Sequence, residues 1–200
     1  MRSSKQAKEV ELPRLFSGFR ISQEAEDWLA GLETDLPGAR WIDPGDYHVT
    51  LRFFGDVDRH VADDIVAALS AARQVSFEAQ IKGLTCFGGD RPRNLVAEIV
   101  AAPGLTDLHR IHDRAALAAG LEPDHRKYLP HVTLARLDGT RPETIARFLQ
   151  SVTKAQLPKF DVGETVLFSA RAGYGGGPYV AEETFSLARA NSGTANSPTA

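Results

Sequence analysis

The sequence predicts an α+β fold built from a duplicated unit, and three observations carry that expectation. Segments of strand and helix character alternate along the chain, with no linker long enough to separate independent domains. The tetrapeptide His-Val-Thr-Leu occurs twice, at 48–51 and at 131–134. The same landmarks recur around each copy. Phe77 and Phe160 each lie 29 residues beyond their histidine, while Val96-Ala97-Glu98 and Val180-Ala181-Glu182 begin 48 and 49 residues beyond. A helix is expected after each motif strand, giving the order strand, helix, strand, strand in both halves. Duplicated units of this kind usually pack about a pseudo-twofold axis, which would set the two histidines opposite each other.

The elements follow in order. Arg14 to Ile21 has strand character, and Ser22 then caps a helix with Glu24 and Glu26 in its first turn, where the helix dipole favours acids; it fades near Leu36-Pro37-Gly38. Strands are expected at Ala39 to Asp43 and Tyr47 to Phe54. Asp58 begins a helix running to about Gln74, with Val61, Ile65, Ala68, Leu69 and Ala72 at helical spacing. Strands Phe77 to Phe87 and Asn94 to Val100 flank the turn-rich segment Gly88 to Pro92. A helix spans roughly Leu105 to Ala119, a strand His131 to Leu137, and a further helix opens at Pro142. The last strands are Phe160 to Ala170 and Tyr179 to Leu187, around a hairpin loop at Gly173 to Gly177. The polar stretches 1–12 and 190–200 are expected to be loose tails, leaving a single domain from residue 13 to 189.

Bulk properties narrow the function. Two hundred residues can bury a real core. No run approaches the roughly 20 apolar residues of a membrane span, and the N-terminus lacks a signal-peptide segment, so a cytosolic monomer is expected. Cys86 is the lone cysteine, which leaves no internal disulfide and no thiolate zinc site. A net charge of −3 argues against a long nucleic-acid footprint, so a nucleic-acid substrate would be small or held by its end.

Side chains alternate along a strand, so His48, Thr50 and Arg52 are expected on one face, with Val49, Leu51 and Phe53 on the other. The second copy places His131 and Thr133 on the polar face; Ala135 stands where Arg52 would be, and Arg136 falls on the opposite side. Repeated core packing explains Val-Thr-Leu but gives no reason to repeat the histidine. Two imidazoles, each titrating near 6.5, suit a reaction that takes a proton from water and gives one to a leaving oxygen. Opening a cyclic phosphate is such a reaction. The Thr50 and Thr133 hydroxyls would bind non-bridging oxygens, and Arg52 or Arg136 would neutralise phosphate charge. Arg126, Lys127 and Tyr128, just before the second motif, are candidates for guiding an RNA end and stacking a base.

The paired His-x-Thr-x elements, the opening segment 14–20, the extension from His48 to Gly55 and the segment Leu129 to Arg136 together resemble the two-histidine phosphoesterase superfamily. The match is most similar to the RNA 2′,3′-cyclic phosphodiesterases, also called 2′-5′ RNA ligases, and runs from about Arg14 to Leu187. The resemblance implies a bilobal fold with two antiparallel sheets flanking a central cleft and helices outside, and no cofactor or metal. It further implies that His48 donates the proton to the leaving oxygen, that His131 accepts one from water, and that the product is a 2′-phosphomonoester. Spacing alone does not assign those two roles. The implied partner is an RNA 3′ end, or a nucleotide, carrying a 2′,3′-cyclic phosphate. Alternatives are ligation to a 2′-5′ linkage and a non-catalytic module that binds RNA ends. His109, His112 and Asp113 at helical spacing are expected to belong to an ordinary amphipathic helix, His60 and His125 to be structural, and Cys86 to be buried packing.

Overall fold

The computed structural model describes residues 14–152, 157–170 and 178–189. The expected tails and the Gly173 to Gly177 loop lie outside the described residues. Among those residues, nine strands and four helices follow in the order β1 (Arg14–Arg20), α1 (Gln23–Ala30), β2 (Ala39–Trp41), β3 (His48–Asp56), α2 (Arg59–Ala71), β4 (Phe77–Phe87), β5 (Asn94–Ile99), α3 (Pro103–Ala118), β6 (His131–Leu137), α4 (Pro142–Val152), β7 (Lys159–Val162), β8 (Glu164–Ala170) and β9 (Tyr179–Ser186). Ser22 caps α1 and Asp58 caps α2 by accepting from backbone N–H groups, as their residue types dictate. The helix from Ser22 stops at Gly31 rather than near Leu36.

All these strands pair antiparallel, in the order β7-β4-β5-β6-β3-β1-β8-β9, with β2 beside β6. This array is two half-sheets that meet at β3 and β6 through a single pair, Val49 with Val132. Helices α1 and α4 bring Ala25, Leu29 and Ile145 onto the β4-β5-β6 half, around Leu95, Val132 and Leu134. Helices α2 and α3 bring Ile65, Leu69, Ala115 and Ala116 onto the other half, around Leu15, Phe54 and Leu167. Each buried Leu, Ile, Val or Phe side chain contributes roughly 1.5–3 kcal/mol.

Two expectations need correction. The strand from Phe160 to Ala170 is two strands, broken at Gly163: β7 pairs with β4 in one half and β8 with β1 in the other. The third sequence landmark is not a structural equivalence, because Val96 lies on β5, next to β6, whereas Val180 lies on the outer strand β9. The neighbour of β3 that corresponds to β5 is β1. Thus β1-β3-β4 matches β5-β6-β8, and the last strand of each unit joins the half-sheet of the other.

Candidate active site

The seam between the half-sheets organises the site. Extending the Val49–Val132 register by one residue each way sets His48 opposite Thr133 and Thr50 opposite His131. Directly opposed residues share a face, so all four polar side chains point to one side while Val49 and Val132 are fully buried on the other. In an antiparallel pair the diagonal neighbours, here the two histidines, are about 7–8 Å apart. That spacing suits a phosphorus atom between two rings.

Both copies carry the same irregularity just beyond the motif. Against β1, Ser17 pairs with Arg52 and Gly18 with Thr50, so Leu51 is skipped. Against β5, Leu95 pairs with Ala135 and Val96 with Thr133, so Leu134 is skipped. These are β-bulges, and each reverses the alternation beyond it. The burial patterns agree: Leu51-Arg52 and Leu134-Ala135 are consecutive buried pairs, and Phe53 and Arg136 emerge on the open face.

The bulge takes Arg52 off the histidine–threonine face, though it still lines the cavity shared by Thr50 and His131. Its guanidinium is turned inward, 7% exposed, with Asp113 at 3.1 Å, Asp124 at 3.2 Å and the Glu122 carbonyl at 2.6 Å. Two carboxylates already meet its charge. Phe53, expected in the core, is 48% exposed instead. Arg136 moves the other way, onto the same side as His131 and Thr133, and donates to Asn94 Oδ1 at 2.7 Å.

The two histidines are held alike. His48 Nδ1 donates to the Asp46 carbonyl at 2.7 Å, and His131 Nδ1 to the Leu129 carbonyl at 2.6 Å, in each case two residues back along the chain. A carbonyl can only accept, so Nδ1 carries a proton and Nε2 is left to exchange one. Their surroundings differ. His48 sits among Phe16 and Tyr179, each 5.0 Å between centroids, and Phe168 at 5.6 Å. Burial lowers its pKa to about 4, against a raising contribution from the Asp46 hydrogen bond; the nearby positive charges of His131 and Arg20 lower it further. Burial also lowers His131, with a smaller contribution from Arg136, but its only aromatic neighbour among the described residues is Phe87, edge-on at 4.8 Å.

Beside His131 and Thr50 opens a cavity of about 300 Å³ whose wall includes Phe53, Phe87, Tyr128 and Leu129. His48 and Thr133 lie on the same open face across the seam. Tyr128 is fixed in that wall: its phenol donates to the Thr50 carbonyl at 3.1 Å and its ring stacks on His109 at 3.7 Å. His109 in turn donates from Nδ1 to the carbonyl of the bulged Leu51 at 2.9 Å. His109 and Tyr128 thus satisfy carbonyls that the bulge exposes, which a reading of α3 as an ordinary amphipathic helix missed. Arg126 is exposed and bonded to Asp124, holding that carboxyl well below the usual carboxylate range. His112 is fully buried, accepting from Ser17 and donating to Gln74, so it faces away from the cleft. No cluster of metal-ligating side chains occurs among the described residues, and no helix among them is long and apolar enough to cross a membrane. Phe16, Phe168, Tyr179 and Arg20 were not anticipated; they converge only through β1, β8 and β9.

Fold and site define a duplicated antiparallel α+β protein that presents one histidine–threonine pair from each half to a shared open face. The LigT-like phosphoesterase family model matches residues 20–97 and 99–179, and the chain belongs to that family. An RNA 2′,3′-cyclic phosphodiesterase of Aquifex aeolicus is 27% identical over 187 residues, covering 89% of this chain and 99% of that one. One of Aeropyrum pernix is 36% identical over 104 residues, 50% of this chain; the match spans 58% of that protein's length. In fold, the chain is similar to Escherichia coli LigT complexed with 3′-AMP, at a TM-score of 0.69 and 20% identity over 88% of this chain and 99% of that one. It is likewise similar to a Thermus thermophilus protein, TT0787, at 0.71 and 22% over 87% and 97%.

Proposed function

We propose that the protein hydrolyses 2′,3′-cyclic phosphates at RNA ends or on nucleotides to 2′-phosphomonoesters, without a metal, with His48 and His131 as the acid and base. The observation that carries this is the four-cornered arrangement at the seam. Each histidine offers a free Nε2, and each stands opposite a threonine hydroxyl from the other strand. The names of the relatives support the substrate class.

In this mechanism the cyclic phosphate lies between the rings. His131 Nε2 takes a proton from water as the water oxygen bonds to phosphorus. The bond from phosphorus to O3′ breaks, and O3′ receives a proton from His48 Nε2. The Thr50 and Thr133 hydroxyls donate to the non-bridging oxygens, where negative charge builds. In the free protein both rings are neutral at pH 7, because their surroundings depress both affinities for protons. The anionic substrate works in the opposite direction: a negative charge beside an imidazole favours its protonated form and supplies His48 with its proton on binding. Consequently the bell for kcat/KM, which follows the free protein, centres below pH 6.5, and that for kcat lies at higher pH.

The test is to incubate the protein with each nucleoside 2′,3′-cyclic phosphate and with matching RNA ends, in EDTA, and to identify the product by phosphorus NMR. A 2′-phosphomonoester formed in EDTA is expected. A 3′-phosphate, a joined 2′-5′ product, or activity that EDTA abolishes would overturn the assignment.

A further inference from the structure

Beyond Arg136 the open face of β6 runs into a second cleft, of about 930 Å³, formed by the loop 90–93 and the start of α4. Four guanidinium groups line it, from Arg91, Arg93, Arg136 and Arg141, against the carboxylates of Asp90 and Asp138. None of the four makes an ion pair with a carboxylate among the described residues. Elsewhere Arg14, Arg52, Arg59, Arg110 and Arg126 are paired and Arg20, Arg73, Arg114 and Arg147 are not, so what sets this cleft apart is that four such arginines line one place. In a chain of net charge −3, unpaired arginines gathered in one cleft mark a place for an anion.

Local structure prepares the cleft. The loop is closed by Arg91 N–H to the Gly88 carbonyl and Arg93 N–H to the Phe87 carbonyl, at 3.3 and 2.7 Å. Gly88, at φ +121°, leaves no room for a Cβ against the Arg91 carbonyl. Arg91 and Arg93 are therefore presented by a preformed turn. Helix α4 starts here, with the Arg141 carbonyl accepting from Thr144 and Ile145, and its dipole adds positive potential. Thr140 also lines the wall, but its hydroxyl is buried on the Gly38 side and is not presented to the cleft. Arg136 joins the two places: it lowers the His131 pKa electrostatically and also lines this cleft. At ~3.3 Å per residue it stands roughly 16 Å along β6 from His131, placed toward the next phosphates of the same strand rather than the one that His131 would hold.

We infer that this arginine cleft binds the backbone phosphates of an RNA strand leading to the 3′-terminal cyclic phosphate, so that oligonucleotides are preferred over free nucleotides. The inference rests on the reaction proposed above and adds the substrate's size to it. Only phosphates flanking the end are bound, which fits an acidic protein that cannot coat a long duplex.

The experiment compares a nucleoside 2′,3′-cyclic phosphate with an RNA of about ten nucleotides bearing the same end. The wild type is set against a protein carrying Arg91→Ala, Arg93→Ala and Arg141→Ala, and against the corresponding lysine triple. The alanine triple should lower kcat/KM for the RNA about tenfold and leave the nucleoside unchanged. It should also flatten the salt dependence, by about 0.7 in log–log slope per lost phosphate contact. The lysine triple should keep most of the preference. Equal losses on both substrates, or an unaffected RNA, would overturn the inference. Should the wild type open neither substrate, the reaction fails but the cleft is still tested: anisotropy of a labelled RNA with a terminal phosphate must show about tenfold weaker binding to the alanine triple, and unchanged binding refutes it.

Discussion

The strands β3 and β6 share a tetrapeptide, a bulge, and a hydrogen bond from each histidine to a carbonyl two residues back, yet they place their histidines in different surroundings. His48 is enclosed by three aromatic rings from β1, β8 and β9. His131 meets one ring edge and borders an open cavity. The duplication sets where the two imidazoles stand; unrelated neighbours set how readily each binds a proton. A symmetric frame thereby holds two rings in unequal surroundings, and the acid role proposed for His48 requires the bound anion to offset its burial.

The largest effects should come from removing either ring. His48→Ala and His131→Ala are each expected to lower kcat/KM by about 10²–10⁴-fold. Combining them should cost little more than the worse single change, because the two act in one step. Steady-state rates on a cyclic nucleotide measure this, and substantial turnover by either single variant would refute the paired roles. Next come the threonines. Thr50→Val and Thr133→Val each remove one of the donors proposed for the non-bridging oxygens and should cost about 10²-fold. The seam register predicts similar losses for both. A large loss from one with none from the other would show that the halves are unequal at phosphorus too.

Much of this frame was legible because it is local. Strand β6 has the bounds His131–Leu137 expected of it, β4 spans Phe77–Phe87, and the caps Ser22 and Asp58 stand where their residue types require. What strict alternation missed is the bulge, which exists only relative to the partner strands β1 and β5. One signal for it does lie in the sequence: Leu134-Ala135 is an apolar pair between the polar Thr133 and Arg136, so the period of two breaks there. The first copy hides the same break, because buried Arg52 is polar and finds its counterions in Asp113 and Asp124, far along the chain. The landmark at Val180 misled for another reason. A three-residue match carries no information about strand order, and β9 closes an edge that β5 does not.

Proton affinity gives a finer test. Phe168→Leu keeps an apolar core residue but opens one wall around His48, at a stability cost of about 1 kcal/mol. Because burial is the chief cause of the depressed pKa, His48 should rise from about 4 toward 6.5 while His131 stays where it is. Titration of the imidazole protons by NMR reads both directly. A rise in both rings, or in neither, would show that the aromatic wall does not separate them. The same pKa bears on stability. A ring whose folded pKa lies below its unfolded value stabilises fully above about pH 6.5. That contribution is lost as pH falls, at up to about 1.4 kcal/mol per pH unit. Phe168→Leu should therefore shallow the acid side of the stability profile.

The smallest effect is expected on the other strand. Arg136 lowers the His131 pKa through space, so Arg136→Gln removes a repelling charge and should raise that pKa. His48, whose depression comes first from burial, should not respond. The readout is the His131 titration curve in the free protein rather than the rate, because Arg136 is also a candidate phosphate ligand. If His48 moved as much as His131, the two rings would be sensing one common field, and the division of labour between an aromatic wall on one strand and a cation on the other would have to be abandoned.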